Sequence, residues 1–195
     1  MTAFASVALM VLVTFYQNTD FVTGTPGMNQ IYFAPLDTFG AGGVPDPPVP
    51  GGSAGASFVA GSGGFVFNSG KGFIDMKNDL LKGAELEWKS VGDPSAPGTE
   101  AMIKGRTLGM TPQLLEQFNL MLGVPGIWLI KDTNCAANQF WVVGCDCNPG
   151  YFTFDFKTGA KGGNDAKGTN FEVKSICPPY SIVITPSDLT GLLLS

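Results

Sequence analysis

The sequence predicts a mainly β protein, an antiparallel β-sandwich or barrel with one flanking α-helix and extended loops or arms. Three observations predict it. Short apolar segments with a period of two recur through the C-terminal half, each bounded by turn-forming residues. Only one stretch, TPQLLEQFNLMLG, carries both a helix start and a helix stop. Gly (27) and Pro (14) are frequent, and many of both are concentrated in one loop-like region. A length of 195 residues suits a single domain, 1–195, with a real core.

The chain opens on MTAFASVALMVLVTFYQ, an apolar run over residues 1–20 with no Lys or Arg before it. A signal peptide normally begins with a basic segment, and the run is short for a membrane span of about 20 residues. Val7, Leu9, Val11 and Val13 alternate with residues that are also apolar, which suits a strand or arm buried on both faces. A short core helix and a retained signal stay open as alternatives. NQIYFAPLDTF then reads as a strand that belongs with the rest of the fold. Residues 40–64, GAGGVPDPPVPGGSAGASFVAGSGG, hold too few large apolar groups to build a core. They read as a Pro/Gly-rich insertion loop, exposed or reaching a neighbouring subunit.

The β core is expected over 65–184. In AELEWKSVG, Leu86 and Trp88 alternate with Glu85, Glu87 and Lys89, the pattern of a half-buried strand, and AMIKGRTLG is its partner across a turn. The helix is predicted over 112–122. Thr111 caps it, Pro112 suits its first position, and Gly123 stops it. Leu114, Leu115, Phe118 and Leu122 are read as its core-facing stripe. IWLIKD and NQFWVVG then form one strand pair, and GYFTFDFKTG and TNFEVKSI a second. Phe152, Phe154 and Phe156 share one strand face and are expected in the core, each worth about 1.5–3 kcal/mol of burial. PPYSIVITPSDLTGLLLS ends the chain with a short strand and an apolar tail.

Charge and residue types narrow the function. Only 14% of residues are charged, against roughly a quarter in ordinary domains, so partners are expected to cover part of the surface. A net charge of −5 gives no basic footprint for gripping phosphates. Histidine is absent, which removes Ser-His-Asp and Cys-His nucleophile systems and every His-ligated metal site. KGRTLG is not a phosphate loop, and no GxSxG or HExxH occurs. GGNDAKG lacks the alternating carboxylates of a calcium loop and reads as a hairpin tip. Trp88, Trp128, Trp141, Tyr151 and Phe152 could form a sugar platform, but their places in alternating strands favour packing. The expectation is a protein with no catalytic residue, no cofactor and no metal.

The four cysteines, Cys135, Cys145, Cys147 and Cys177, do not have the paired CxxC knuckles of a zinc site. Asp146 between Cys145 and Cys147 works against a reactive thiolate. If the hairpin from Gly150 to Ile176 closes near Gly162 or Gly163, opposed residues carry numbers summing to about 324–327. That register sets Cys147 near Cys177, a structural thiol pair, reduced if the protein matures in a cytoplasm.

The order of these features resembles that of tail-tube-like structural proteins of tailed bacteriophages, especially from phages and prophages of Bacteroidetes-type hosts. There a helix precedes two patterned hairpins. The matching residues here are Trp128, Asp132, Gly144, Thr158, Gly159, Asp165, Gly168 and Phe171. The resemblance spans roughly residues 28–36 and 65–184. It departs at Cys135, where glycine is usual, and in the insertion at 40–64. It implies a β-sandwich whose copies form rings, expected as hexamers, stacked into a tube through which DNA passes without specific binding. It also implies other virion proteins as partners, no membrane, and assembly in a bacterial host cytoplasm. An acidic balance suits such a conduit. The competing expectation is a capsid decoration or adhesin-type sandwich that binds carbohydrate.

Overall fold

The computed structural model describes residues 30–45, 58–59, 64–76, 84–93, 98–108, 111–131, 139–157, 168–177, 180–184 and 186–193. The apolar run over 1–20, Cys135, Asp132 and the hairpin tip with Thr158, Gly159 and Asp165 lie outside them.

Ten strands form one sheet: β1 (Gln30–Pro35), β2 (Phe58–Val59), β3 (Ile74–Met76), β4 (Glu85–Val91), β5 (Gly98–Leu108), β6 (Pro125–Lys131), β7 (Gln139–Val143), β8 (Gly150–Lys157), β9 (Gly168–Ser175) and β10 (Tyr180–Val183). Helix α1 is Pro112–Met121 and helix α2 is Pro186–Leu192. The mainly β class with a flanking helix therefore holds. Its two layers, however, are limbs of one sheet that divides at β6. One edge of β6 pairs with β1 along its whole length. The other pairs with β7 at Trp128–Lys131 and with β8 at Pro125–Gly126. One limb runs β3-β1-β6-β7-β10-β2 and the other β8-β9-β5-β4. Every pairing is antiparallel except β2 with β10.

This branching lets β1 and β6 bury both faces, which is why IYFA and IWLI are apolar without alternation. Ile31, Phe33, Trp128 and Ile130 enter the core between the limbs, with Ile103, Phe152, Phe171 and Val173 from the opposite limb. Phe33 faces Trp128 with ring centroids 4.5 Å apart, and Trp128 stacks on Phe152 at 5.9 Å. Tyr32, Ala34, Ile127 and Leu129 enter a second core on the reverse face, with Phe39, Phe65, Phe73, Tyr180 and Ile182. Leu189 and Leu192 of α2 pack there. The segment read as an apolar tail is thus partly a helix. Its sequence signal was Thr185-Pro186, a repeat of the Thr111-Pro112 start of α1.

Two of the glycines at close approaches meet phenylalanine rings. A Cβ on Gly105 would lie 2.1 Å from Phe171 Cζ, and one on Gly126 would lie 2.2 Å from Phe33 Cε2. In both places a phenylalanine ring covers the neighbouring strand where that strand has no side chain.

Helix α1 begins as predicted, with the Thr111 hydroxyl accepting from Leu114 N at 3.2 Å, and Gly123 follows its end at φ +74°. Its buried face corrects the expected stripe. Gln117, Phe118 and Met121 are buried and Leu114 packs partly against the core, the i, i+3, i+4, i+7 set. Leu115 and Leu122 are 37% and 50% exposed. Leu115 lies about 100° around the helix from Leu114. Leu122 is already past the last turn, where its backbone bridges Phe152.

The hairpin registers match the sequence reading. β4 pairs with β5 as expected, and Tyr151 faces Lys174 within the expected range. Phe152 is buried and Phe154 half-buried, but Phe156 is 38% exposed because β8 runs on past the core. Trp88 is 51% exposed, since β4 is an edge strand overhanging the same core. The insertion is also more ordered at its ends than a free loop. Gly40 N donates to Val66 O and Val66 N to Gly43 O, each at 2.9 Å, and Tyr180 Oη donates to Pro45 O at 2.9 Å. Phe58–Val59 is a strand. The rest of the insertion lies outside the described residues.

Candidate functional site: an open edge and a thiol cluster

The outer face of β4, β5, β9 and β8 carries the polar set of each alternating strand. Glu85, Glu87, Lys89, Glu100, Lys104, Arg106, Asp155, Glu172 and Lys174 lie on it by register. A shallow depression of about 420 Å³ crosses this face, lined among others by Glu85, Lys104, Arg106, Asp155 and Glu172. Its charges are spent on each other. Lys104 pairs with Glu87, Lys89 with Glu100 at 3.7 Å, and Lys174 with Glu172 at 2.7 Å. The hydrogen bond and charge of Lys104 hold the Glu87 carboxyl below its ordinary range, and Glu87 and Glu172 raise Lys104 and Lys174. This is a solvated, self-neutralising ladder. Among the described residues no three His, Cys, Asp or Glu side chains are placed to hold a metal ion.

The free edge of β4 is the other prominent feature. β4 pairs with β5 on one side, and no described residue pairs with its second side. Alternate residues of this seven-residue strand thus point backbone donors and acceptors at an open edge. On the inner face of that strand Trp88 meets Trp141 of β7, with ring centroids 5.3 Å apart and planes tilted 47°. The pair spans the gap between the limbs. Trp128 and Phe152, by contrast, are fully buried, so they cannot belong to a sugar platform. Tyr151 is 49% exposed on the other face of β8.

Cys145, Cys147 and Cys177 sit at the bend between the limbs. Cys145 and Cys177 are buried and Cys147 is exposed, which corrects the expected pairing of Cys147 with Cys177. The reason is a change of register. Tyr151 faces Lys174 on one side of the bend and Val142 faces Tyr180 on the other, so the 139–157 arm carries three more residues through the corner than its partner. Gly144, at φ +101°, starts the turn, and Cys145 N donates to Asn148 O at 3.1 Å. The extra residues throw Cys147 outward. Cys145 takes the inward place beside Cys177. Burial, more than the neighbouring thiols, pushes the Cys177 thiol well above its ordinary value.

No protein-family model and no curated protein matches this chain. Among solved structures, a chain of the anti-feeding prophage (AFP) baseplate, determined by cryo-electron microscopy with six-fold symmetry, is similar. It shares 8% identity over 83% of this chain and 96% of its own, with a TM-score of 0.37. A likeness of that size carries neither family nor function.

Proposed function

We propose that this chain is a non-catalytic structural subunit of a phage-type particle that assembles with copies of itself. The finer form of the proposal is a tail tube or related tail or neck component, with hexameric rings stacked around a DNA passage and assembled in a bacterial cytoplasm beside other virion proteins. The observation that carries self-association is the open seven-residue edge of β4, with a half-exposed tryptophan beside it. The tail-tube role itself rests on the order of sequence features from Trp128 to Phe171. Low charge content and self-paired surface charges support a surface that meets protein rather than nucleic acid.

Light scattering and negative-stain microscopy on the purified chain test this. Rings or tubes are the expected result, and a monomer at every concentration up to about 100 μM would refute it. Because residues 40–45 and 58–59 are tied into the fold, the informative deletion is confined to 46–57. It should weaken assembly more than stability. The Trp88–Trp141 pair favours one second reading, a carbohydrate-binding decoration protein, in which a sugar face would stack on the half-exposed indole. Monomers that bind glycans through Trp88 would select that reading.

A further inference from the structure

We infer that Cys145 and Cys177 are a disulfide-forming site, loaded through the exposed thiol of Cys147, that staples the two crossovers between the limbs of the sheet. The chain passes from one limb to the other twice in this region, from β7 to β8 through Cys145 and from β9 to β10 through Cys177. The strands on each side of the bend are paired, β7 with β10 and β8 with β9. The two crossovers therefore run side by side, and each carries one of the buried cysteines.

Register brings the two cysteines close. The β7–β10 pairing ends at Val142 and Tyr180, and Cys145 and Cys177 each stand three residues beyond it. A disulfide spans Cα atoms roughly 4.4–6.8 Å apart, close to the spacing of the neighbouring strands from which both crossovers leave. The hydrogen bonds hold that juxtaposition. Asn148 O accepts from Cys145 N at 3.1 Å and from Ser175 Oγ at 2.9 Å, and Ser175 Oγ accepts from Cys177 N at 3.0 Å. One carbonyl thus ties both crossovers. Cys145 Sγ lies 3.8 Å from the same carbonyl, and its thiol is near enough to raise that of Cys177. Cys145 is 8% and Cys177 1% exposed, so neither meets a dissolved oxidant directly, whereas Cys147 does.

The oxidant class is a small soluble disulfide such as oxidised glutathione. The Cys147 thiolate attacks one of its sulfurs and expels a glutathione thiolate. The Cys145 thiolate attacks the Cys147 sulfur of the mixed disulfide and expels the second glutathione. The Cys177 thiolate then takes the Cys145 sulfur, and Cys147 leaves as a thiolate and is reprotonated. Two protein thiols lose two electrons and two protons, and oxidised glutathione becomes two reduced molecules. The raised thiol of Cys177 makes the last transfer the slow one. In a reducing cytoplasm the pair stays open, and release into an oxidising medium closes it.

The test uses the full chain, reduced and then incubated with oxidised glutathione, followed by non-reducing peptide mapping and a thermal melt. The expected product is a Cys145–Cys177 link, with a rise in melting midpoint of about 7–15 °C for a loop of this size. Cys147→Ser, a change at an exposed site, should give the same link at least about tenfold more slowly. A link to Cys135, a stable Cys147–Cys177 or Cys145–Cys147 link, or glutathione retained on Cys147 alone would overturn the proposal. So would an unchanged rate in Cys147→Ser.

Discussion

Phe118→Ala tests the rotated face of α1. The ring is fully buried and lies 5.0 Å from Phe152, 5.4 Å from Phe154 and 6.3 Å from Phe171, centroid to centroid. These neighbours belong to paired strands and to the core between the limbs, so they cannot collapse into the space left. The expected loss is about 3–5 kcal/mol, the range for truncating a buried phenylalanine. Two controls make the result specific. Leu122 is 50% and Leu115 37% exposed, so Leu122→Ala and Leu115→Ala should each cost no more than about 1 kcal/mol. In a urea titration with a slope of about 2–3 kcal/mol/M, Phe118→Ala should shift the midpoint by about 1–2.5 M. The leucine variants should stay within about 0.5 M of the parent. Equal shifts for Phe118 and Leu122 would refute the face assigned to the helix.

Gly105→Ala should destabilise by about 1–3 kcal/mol in a thermal melt, because its Cβ meets the Phe171 ring at 2.1 Å. Adding Phe171→Leu should recover part of that loss, and a neutral Gly105→Ala would show that the ring has room to move. Burial, helped by the nearby Asp75 charge, pushes the Tyr32 phenol up to about 12. Between about pH 10 and 12 the unfolded chain has released that proton and the folded chain has not. Stability should therefore be full below pH 10 and fall by up to about 2–3 kcal/mol as the pH rises to 12. Denaturant melts at pH 9, 10.5 and 11.5 check this, with Tyr32→Phe expected to flatten the slope.

What was legible in the sequence was local. The strand periods of GYFTFDF and TNFEVKS gave both the hairpin and its register, because a tight antiparallel pair leaves little choice once the turn is placed. Thr111, Pro112 and Gly123 bounded α1 for the same reason. The side chains that went wrong depend on neighbours far along the chain. Leucines are the natural choice for a helix stripe, yet Gln117 and Met121 are buried instead, since the packing of Phe118 on β8 and β9 fixes the rotation. Trp88 lies on an apolar strand face, but that face ends at the sheet edge. The thiol pair failed by one step. The β8–β9 register was right, and the three extra residues at the bend, which no strand period reveals, moved Cys145 into the place expected for Cys147.

The full-length pairing of β1 with β6 also sets a delay during synthesis. About 95 residues separate the two strands, so at about 5–20 residues per second β1 leaves the ribosome roughly 5–19 s before its partner. Until β3 follows about 45 residues behind it, β1 has no mate, and until β6 follows it one edge of Ile31, Tyr32 and Phe33 stays open to any other nascent copy. Pro35, at its end, denies a backbone donor to a mispaired strand and limits how far one can extend. The yield of folded chain should therefore respond to translation speed and to chaperones that hold extended apolar segments, more than to any property of the finished fold.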